Sequence, residues 1–357
     1  MVTVTVNASK TYDIQIGAGL LINCGEKIKM LHHAKTVVVV TDDNVAKLHL
    51  SKVTQSLTSA GYQVLTYVIP HGEQSKSREQ YFALLDFLAE NRITRTDLLV
   101  ALGGGVVGDL TGFVAATYLR GIDFVQMPTT VLAAVDSSVG GKTGIDIPAG
   151  KNLVGAFYQP ILVICDTLTL NTLPESVYND GCAEIIKYGC IADAELFEWL
   201  KSPIRPQIER VIARCVSIKR DIVNQDERDT GIRATLNFGH TIGHAIEKAS
   251  HFSVTHGQAV AIGMVRIENA MQRLGLASQE TFEAVRDLTA AYDLPVQTAF
   301  TADELYDTMT TDKKRSGDRL RFIIVKKIGS CEYLDVSVKE LQGNEITLRT
   351  VLEEALK

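Results

Sequence analysis

The run Asp97 to Leu102 (DLLVAL) passes directly into Gly103-Gly104-Gly105-Val106-Val107-Gly108-Asp109, and a helix-spaced segment follows through Tyr118. This junction constrains the fold more than any other feature of the chain. A short apolar run bounded by turn residues suits a strand buried on both faces. Gly103, Gly105 and Gly108 satisfy G-x-G-x-x-G after a strand and at the opening of a helix. Glycine lets the backbone approach a pyrophosphate, and a helix N-terminus offers unpaired N–H groups and partial positive charge. The same spacing also fits a plain strand-to-helix turn. No acidic residue clearly ends the next strand, so a standard dinucleotide fingerprint is incomplete.

The surroundings favour a layered α/β domain. Thr36 to Thr41 (TVVVVT), Gln63 to Ile69 and Phe124 to Met127 read as further buried strands, and Val45 to Ala60 and Ser77 to Asn91 carry helical spacing between them. Such alternation predicts a parallel, Rossmann-like sheet with helices on both faces. After Thr172 helical patterns dominate: Tyr178 to Cys190, Ala194 to Leu200, Pro206 to Asp221, Thr241 to Lys248, Ala259 to Leu274 and Thr281 to Ala291. The strand-like Leu320 to Lys326 and a closing helix end the chain. Pro174 disfavours helix at the residue before it, which makes Thr172 to Pro174 a junction. The expectation is an α/β N-terminal domain over 1–173 and a mainly α-helical domain over 174–357.

Composition excludes several partners. A formal charge of −6 argues against broad nucleic-acid or anionic-membrane binding, while leaving room for a local cationic pocket. No stretch approaches the ~18 apolar residues of a membrane helix. The N-terminus has neither a basic leader nor an apolar core of a signal peptide, and the six cysteines form no CxxC pair, so the expected setting is the reducing cytoplasm.

Three further segments carry chemistry. Pro128-Thr129-Thr130 follows a strand, Asp136 to Asp146 reads DSSVGGKTGID, and Lys151-Asn152 sits in GKNLVGAFYQP. Lysines among glycines suit anionic ligands, because the ammonium supplies charge and glycine supplies access. Glu184 and Lys187 share a helical face in AEIIK; His240 and His244 lie one turn apart in NFGHTIGHAIE; His256 lies in THGQAVAIGM. Two histidines and a carboxylate form a common catalytic zinc set with one position open. Spacing alone names His240 and His244 as two of the ligands.

The stretches GGGVVGDLTGF, PTT, DSSVGGKTGID, KNLVGAFYQP, AEIIK, RATLNFGHTIGHAIE and HGQAVAIGM together resemble the 3-dehydroquinate synthase family, in its order and approximate spacing. The resemblance implies zinc (cobalt could serve) on Glu184, His240 and His256, which frees His244 to contact substrate and handle protons. It implies NAD at Asp42, Asn44, Glu73, Lys76, Gly105, Val106, Val107, Gly108, Asp109, Thr129, Thr130, Lys142, Lys151, Thr169, Thr172 and Leu173. Asp136, Lys142, Asn152, Lys187 and His244 are the implied catalytic set. Lys219, Arg233, Asn237 and a lysine of DKKRSG (Lys313 or Lys314) would bind the substrate, a phosphorylated seven-carbon keto acid. Arg120, in TYLRG, would reach the neighbouring subunit's site in a homodimer. Other sugar-phosphate cyclases, a polyol or glycerol-phosphate dehydrogenase, and a catalytically silent homologue are the competing readings. Lys219, Arg233 and Asn237 favour a carboxylate-bearing substrate, since a guanidinium can hold a carboxylate with two bonds.

Overall fold

The computed structural model describes residues 1–311, 318–339 and 345–357, so Lys313 and Lys314 lie outside the described residues. The chain forms two compact units: Met1–Pro174 with Gln207–Arg228, and Glu175–Pro206 with Asp229–Lys357.

The first unit carries β1 (Val2–Asn7), β2 (Thr11–Gly17), β3 (Thr36–Asp42), β4 (Gln63–Ile69), β5 (Leu98–Gly103), β6 (Asp123–Pro128), β7 (Lys142–Ile147), β8 (Gly150–Phe157) and β9 (Leu162–Asp166). Seven of them form one sheet in the order β1-β2-β9-β6-β5-β3-β4, parallel except for β1. The period of two explains the unbroken apolar runs. Val37 and Val39 enter one core with Leu98, Val100 and Leu102, whereas Val38 and Val40 enter the other with Leu99 and Ala101. Helices α1 (Cys24–Lys29), α2 (Asp43–Val45) and α3 (Ser51–Ser59) follow, then α4 (Arg78–Glu90) and α5 (Gly105–Thr117). Cys24, Ile28, Val53 and Leu57 cover the first core; Leu84, Leu88, Val107 and Leu110 cover the second.

In chain order the remaining elements are α6 (Glu175–Ala192), α7 (Ala194–Trp199), α8 (Ile208–Gln225), α9 (His240–Ala249), α10 (His256–Arg273), α11 (Gln279–Ala291), α12 (Ala302–Thr311), the antiparallel pair β10 (Arg319–Lys327) and β11 (Ser330–Ser337), and α13 (Leu348–Leu356). All but α8 belong to the second unit, which is mainly helical.

Two features depart from the sequence reading. The expected boundaries put 174–357 in one piece, yet α8 belongs to the first unit. Its buried face (Val211, Ile212, Cys215, Val216, Val223) covers the β1 edge of the sheet. There the Asn7 N–H donates to Asn224 Oδ1 at 2.9 Å and the Ser9 N–H to Glu227 Oε2 at 2.8 Å. The segment 142–157, read only for its lysines and glycines, is an antiparallel ribbon of β7 and β8. Its strands approach so closely that a Cβ on Gly155 would stand 2.1 Å from the Thr143 carbonyl oxygen.

No disulfide joins any of the six cysteines, all of them among the described residues, and five are buried. No helix among the described residues is long and apolar enough to cross a membrane.

Candidate active site

In the second unit, glycines let α9 and α10 meet at backbone distance. Gly239 opens α9 at φ +77°, and a Cβ on Gly263 would stand 1.9 Å from the Gly239 carbonyl oxygen. A Cβ on Gly243 would stand 2.9 Å from the Ala259 oxygen. Thr255 and Gln258 form a capping box at the start of α10, and the Gln258 N–H also donates to Asp180 of α6 at 3.0 Å. The first residues of α9 and α10, His240 and His256, are thereby brought to Glu184 of α6.

The resulting geometry fits a metal. Ligands about 2.1 Å from a tetrahedral zinc stand about 3.4 Å apart. Nε2 of His240 and Nε2 of His256 are each 3.4 Å from Glu184 Oε1. Glu184 is 1% exposed, and neither of its carboxylate oxygens has a hydrogen bond of normal geometry, although Lys187 Nζ makes an ion pair with Oε2. His240 Nδ1 lies 3.0 Å from the Phe238 carbonyl, which can only accept, so Nδ1 carries a proton and Nε2 is the nitrogen turned to Glu184. Burial opposes a charged Glu184, but Lys187 and then His240 outweigh it and hold the carboxyl well below its usual range. Burial likewise opposes a charged His256, and Glu184 and Glu247 outweigh it, pushing its pKa up to about 10. A pocket that holds a proton this firmly between carboxylates suits a divalent cation in its place.

His244 stands beside this set, its ring centroid 5.4 Å from that of His240 and 6.1 Å from that of His256. A cavity of about 350 Å³ opens over α9, lined by Asn237, His240, His244, Lys248, Thr308 and Arg321. Arg233 is buried in the 3-10 turn that leads to Asn237.

In the first unit, Gly104 caps α5 without a side-chain hydrogen bond to its first-turn amides. A Cβ on Gly108 would stand 2.8 Å from Gln126 Oε1, so this glycine serves close helix-to-sheet packing. The Thr129 N–H donates to the Gly103 carbonyl at 3.0 Å, while the Thr129 hydroxyl is buried without a partner among the described residues. The Val107 side chain is in the core, so only its backbone could contact a ligand. Backbone amides at an uncapped helix start, beside an unsatisfied hydroxyl, fit a dinucleotide's pyrophosphate.

A charged cluster gathers four separated segments. Lys76 Nζ lies 2.6 Å from Asp109 Oδ2 and also donates to Asn152 Oδ1; Lys151 pairs with Glu73 at 3.5 Å. The Asn152 N–H donates to Asp146 Oδ1 at 2.7 Å, and the Asp146 N–H to the Lys76 carbonyl at 2.8 Å. Burial pushes the Asp109 carboxyl up, with Lys76 opposing; burial opposes a charged Lys76, with Asp109 and Glu73 outweighing it. Elsewhere, Lys219 Nζ donates to both the carbonyl (2.8 Å) and the carboxylate (2.5 Å) of Asp136.

Other expected contacts have structural duties. Asp42 Oδ1 accepts the N–H of Asn44 and of Val45, capping α2. Thr130 Oγ1 accepts from the Ala133 N–H; the Thr169 hydroxyl donates to the Asp166 carbonyl, and the Thr172 hydroxyl to the Thr169 carbonyl. The Leu173 N–H donates to the Leu170 carbonyl at 3.4 Å, closing the same turn. Lys142 is exposed at the start of β7, and Arg120 is exposed at φ +67°. The sequence reading passed over Glu247 and Asp146. Glu247 had a signal: with His240 and His244 it makes an i, i+4, i+7 stripe on α9. Asp146 had none, because its partner Lys76 is 70 positions away.

The sequence matches the N-terminal model of 3-dehydroquinate synthase over residues 66–180 and the C-terminal model over residues 181–315. The chain belongs to the 3-dehydroquinate synthase family. A 3-dehydroquinate synthase of Clostridium acetobutylicum is 44% identical over 92% of this chain and 95% of its own. Among solved structures, a 2-deoxy-scyllo-inosose synthase complexed with carbaglucose-6-phosphate, NAD+ and Co2+ superposes with TM-score 0.85 at 25% identity, covering 94% of this chain and 97% of that one. The 2-epi-5-epi-valiolone synthase ValA of Streptomyces hygroscopicus, with NAD+ and Zn2+ bound, superposes with TM-score 0.86 at 24% identity, covering 98% and 97%, and shares the fold.

Proposed function

We propose that the chain acts as a 3-dehydroquinate synthase, converting 3-deoxy-D-arabino-heptulosonate 7-phosphate to 3-dehydroquinate and phosphate, a step of aromatic biosynthesis in the cytoplasm. The observation that carries this reading is family membership across most of the chain, joined to a Glu184, His240 and His256 set at the spacing a tetrahedral metal requires. The overall change is redox-neutral: an oxidised carbon acidifies its neighbour, phosphate leaves by β-elimination, the carbon is reduced again, the hemiketal ring opens to free its ketone, and an intramolecular aldol closes the carbocycle. When bound, NAD supplies a reversible hydride acceptor and the metal lowers the pKa of a coordinated hydroxyl.

The chain's own residues would bind, orient and move protons. Glu184, His240 and His256 would hold the metal through Oε1 and the two Nε2 atoms. Lys187, buried against Glu184, would keep that carboxylate ionised and its orientation fixed. His244, at the cavity wall and outside the ligand set, is the proton carrier. Lys142, Asn152, Arg120 and one lysine of 313 or 314 are assigned to the phosphate; Lys219, Arg233 and Asn237 to the carboxylate; Asp136 would position Lys219 through the contacts they make. Glu73, Lys76, Lys151 and the Gly105 to Asp109 amides, with Asp42, Asn44, Thr129, Thr130, Lys142, Thr169, Thr172 and Leu173, are assigned to NAD. Arg120 would act in the partner's site of a homodimer.

The test is phosphate release from the heptulosonate phosphate with NAD far below substrate concentration. Turnover should exceed the NAD present many-fold and stop on adding a chelator. NADH accumulating in step with product would instead mark a dehydrogenase.

A further inference from the structure

Glu247 plays no part in the assignments above, yet it is a carboxylate only 3% exposed, placed against the metal set. Its Oε2 lies 3.4 Å from Nδ1 of His256, the nitrogen pointing away from Glu184, and 4.0 Å from Nε2 of His244. Its position on α9 follows from helical spacing: seven residues after His240 returns the chain to the same face, so the helix that supplies one ligand also supplies the group behind another.

An imidazole offers a lone pair at Nε2 only when its proton sits on Nδ1, and an acceptor behind Nδ1 selects that tautomer. His240 solves the problem with the Phe238 carbonyl; His256 faces a carboxylate instead. A carboxylate also makes the ring a stronger donor to a cation, and losing such a partner typically costs 10–100-fold in metal affinity. We infer that Glu247 is a positioning residue for the metal centre: it holds His256 in the tautomer and ring orientation that present Nε2 toward Glu184 Oε1, and through its approach to His244 it joins the ligand set to the proposed proton carrier. The inference rests on the reading of Glu184, His240 and His256 as the ligands.

The experiment uses the full chain, stripped of metal and titrated with Zn2+ against a chromophoric chelator, beside Glu247→Ala and Glu247→Gln. Wild type should take one Zn2+ per chain. The alanine variant should bind about 10–100-fold more weakly. The glutamine variant keeps an acceptor oxygen and should recover part of that loss. In the Co2+-loaded proteins, the visible d–d absorption should shift in Glu247→Ala more than in Glu247→Gln. If Glu247→Ala does not fold, as judged by circular dichroism of the metal-free protein, Glu247→Gln decides alone: a weakened affinity with a shifted Co2+ spectrum supports the inference, and unchanged values overturn it. Zn2+ affinity within twofold of wild type in Glu247→Ala overturns it as well. Wild type that takes up no stoichiometric metal would defeat the ligand assignment itself. So would loss of metal in Glu247→Ala with full retention in His240→Ala, since His244, Glu247 and His256 would then be the ligands.

Discussion

Glu268 has no exposed surface, and it sits on α10 far along the helix from His256, a proposed ligand. Its Oε1 accepts the Val325 N–H of β10 at 2.8 Å, and its Oε2 is buried with no partner among the described residues. Burial pushes its pKa from 4.5 up to about 8, with the Val325 N–H opposing. Because the folded pKa is the higher one, the protonated carboxyl stabilises the fold. That contribution is complete below pH ~4.5 and is lost as pH rises through ~8. The shift, 8 − 4.5, spans about 5 kcal/mol in all at ~1.4 kcal/mol per unit. Between pH 6 and pH 9 the linkage relation places about 2–3 kcal/mol of this loss. Glu268→Gln retains an oxygen for Val325 and cannot ionise. Its extra N–H adds a cost of about 1–3 kcal/mol if unsatisfied, but that cost is the same at every pH. The diagnostic is therefore the slope. Urea unfolding followed by Trp199, the sole tryptophan and part of the second unit, should find the variant gaining about 2–3 kcal/mol on its parent from pH 6 to pH 9. Parallel pH profiles would refute the reasoning and imply that water or a rearranged partner already satisfies the carboxylate.

Three other outcomes are expected. His240→Ala should lose bound zinc, whereas His244→Ala should keep it and lose turnover; equal metal loss in both by elemental analysis would sink the ligand assignment. Gly263→Ala puts a Cβ 1.9 Å from the Gly239 oxygen, so it should separate α9 from α10, cost about 1–3 kcal/mol or more by thermal unfolding, and weaken metal binding; an unperturbed variant would deny that this contact sets the ligand spacing. Arg120→Ala should lose activity and regain part of it in mixed dimers with a His244→Ala partner; no complementation would speak against a shared site.

The legible parts of this protein are those in which neighbouring residues decide. The TVVVVT run makes β3 because alternate valines enter opposite cores, and the glycine turn after β5 opens α5 because the strand, the turn and the helix start are contiguous. The types of the proposed ligands were visible as well, and the i, i+4 spacing of His240 and His244 named both. The proposed Glu184 set needs residues 56 and 72 positions apart in sequence, which local spacing does not predict and the motif resemblance implied.

What the sequence by itself determined, then, is the strand-helix alternation of the first half, the helical character of the second, the glycine turn and the stock of histidine and carboxylate side chains, all of which follow from local spacing. Tertiary structure decided that α8 covers the β1 edge, that β7 and β8 form a ribbon, that Lys76 meets Asp109 and Asn152, and that Glu247 stands behind His256. These depend on which distant surfaces pack together. The last depends on missing side chains: glycines at 239, 243 and 263 let two helix backbones touch, and that contact sets a 3.4 Å spacing no pattern of letters records.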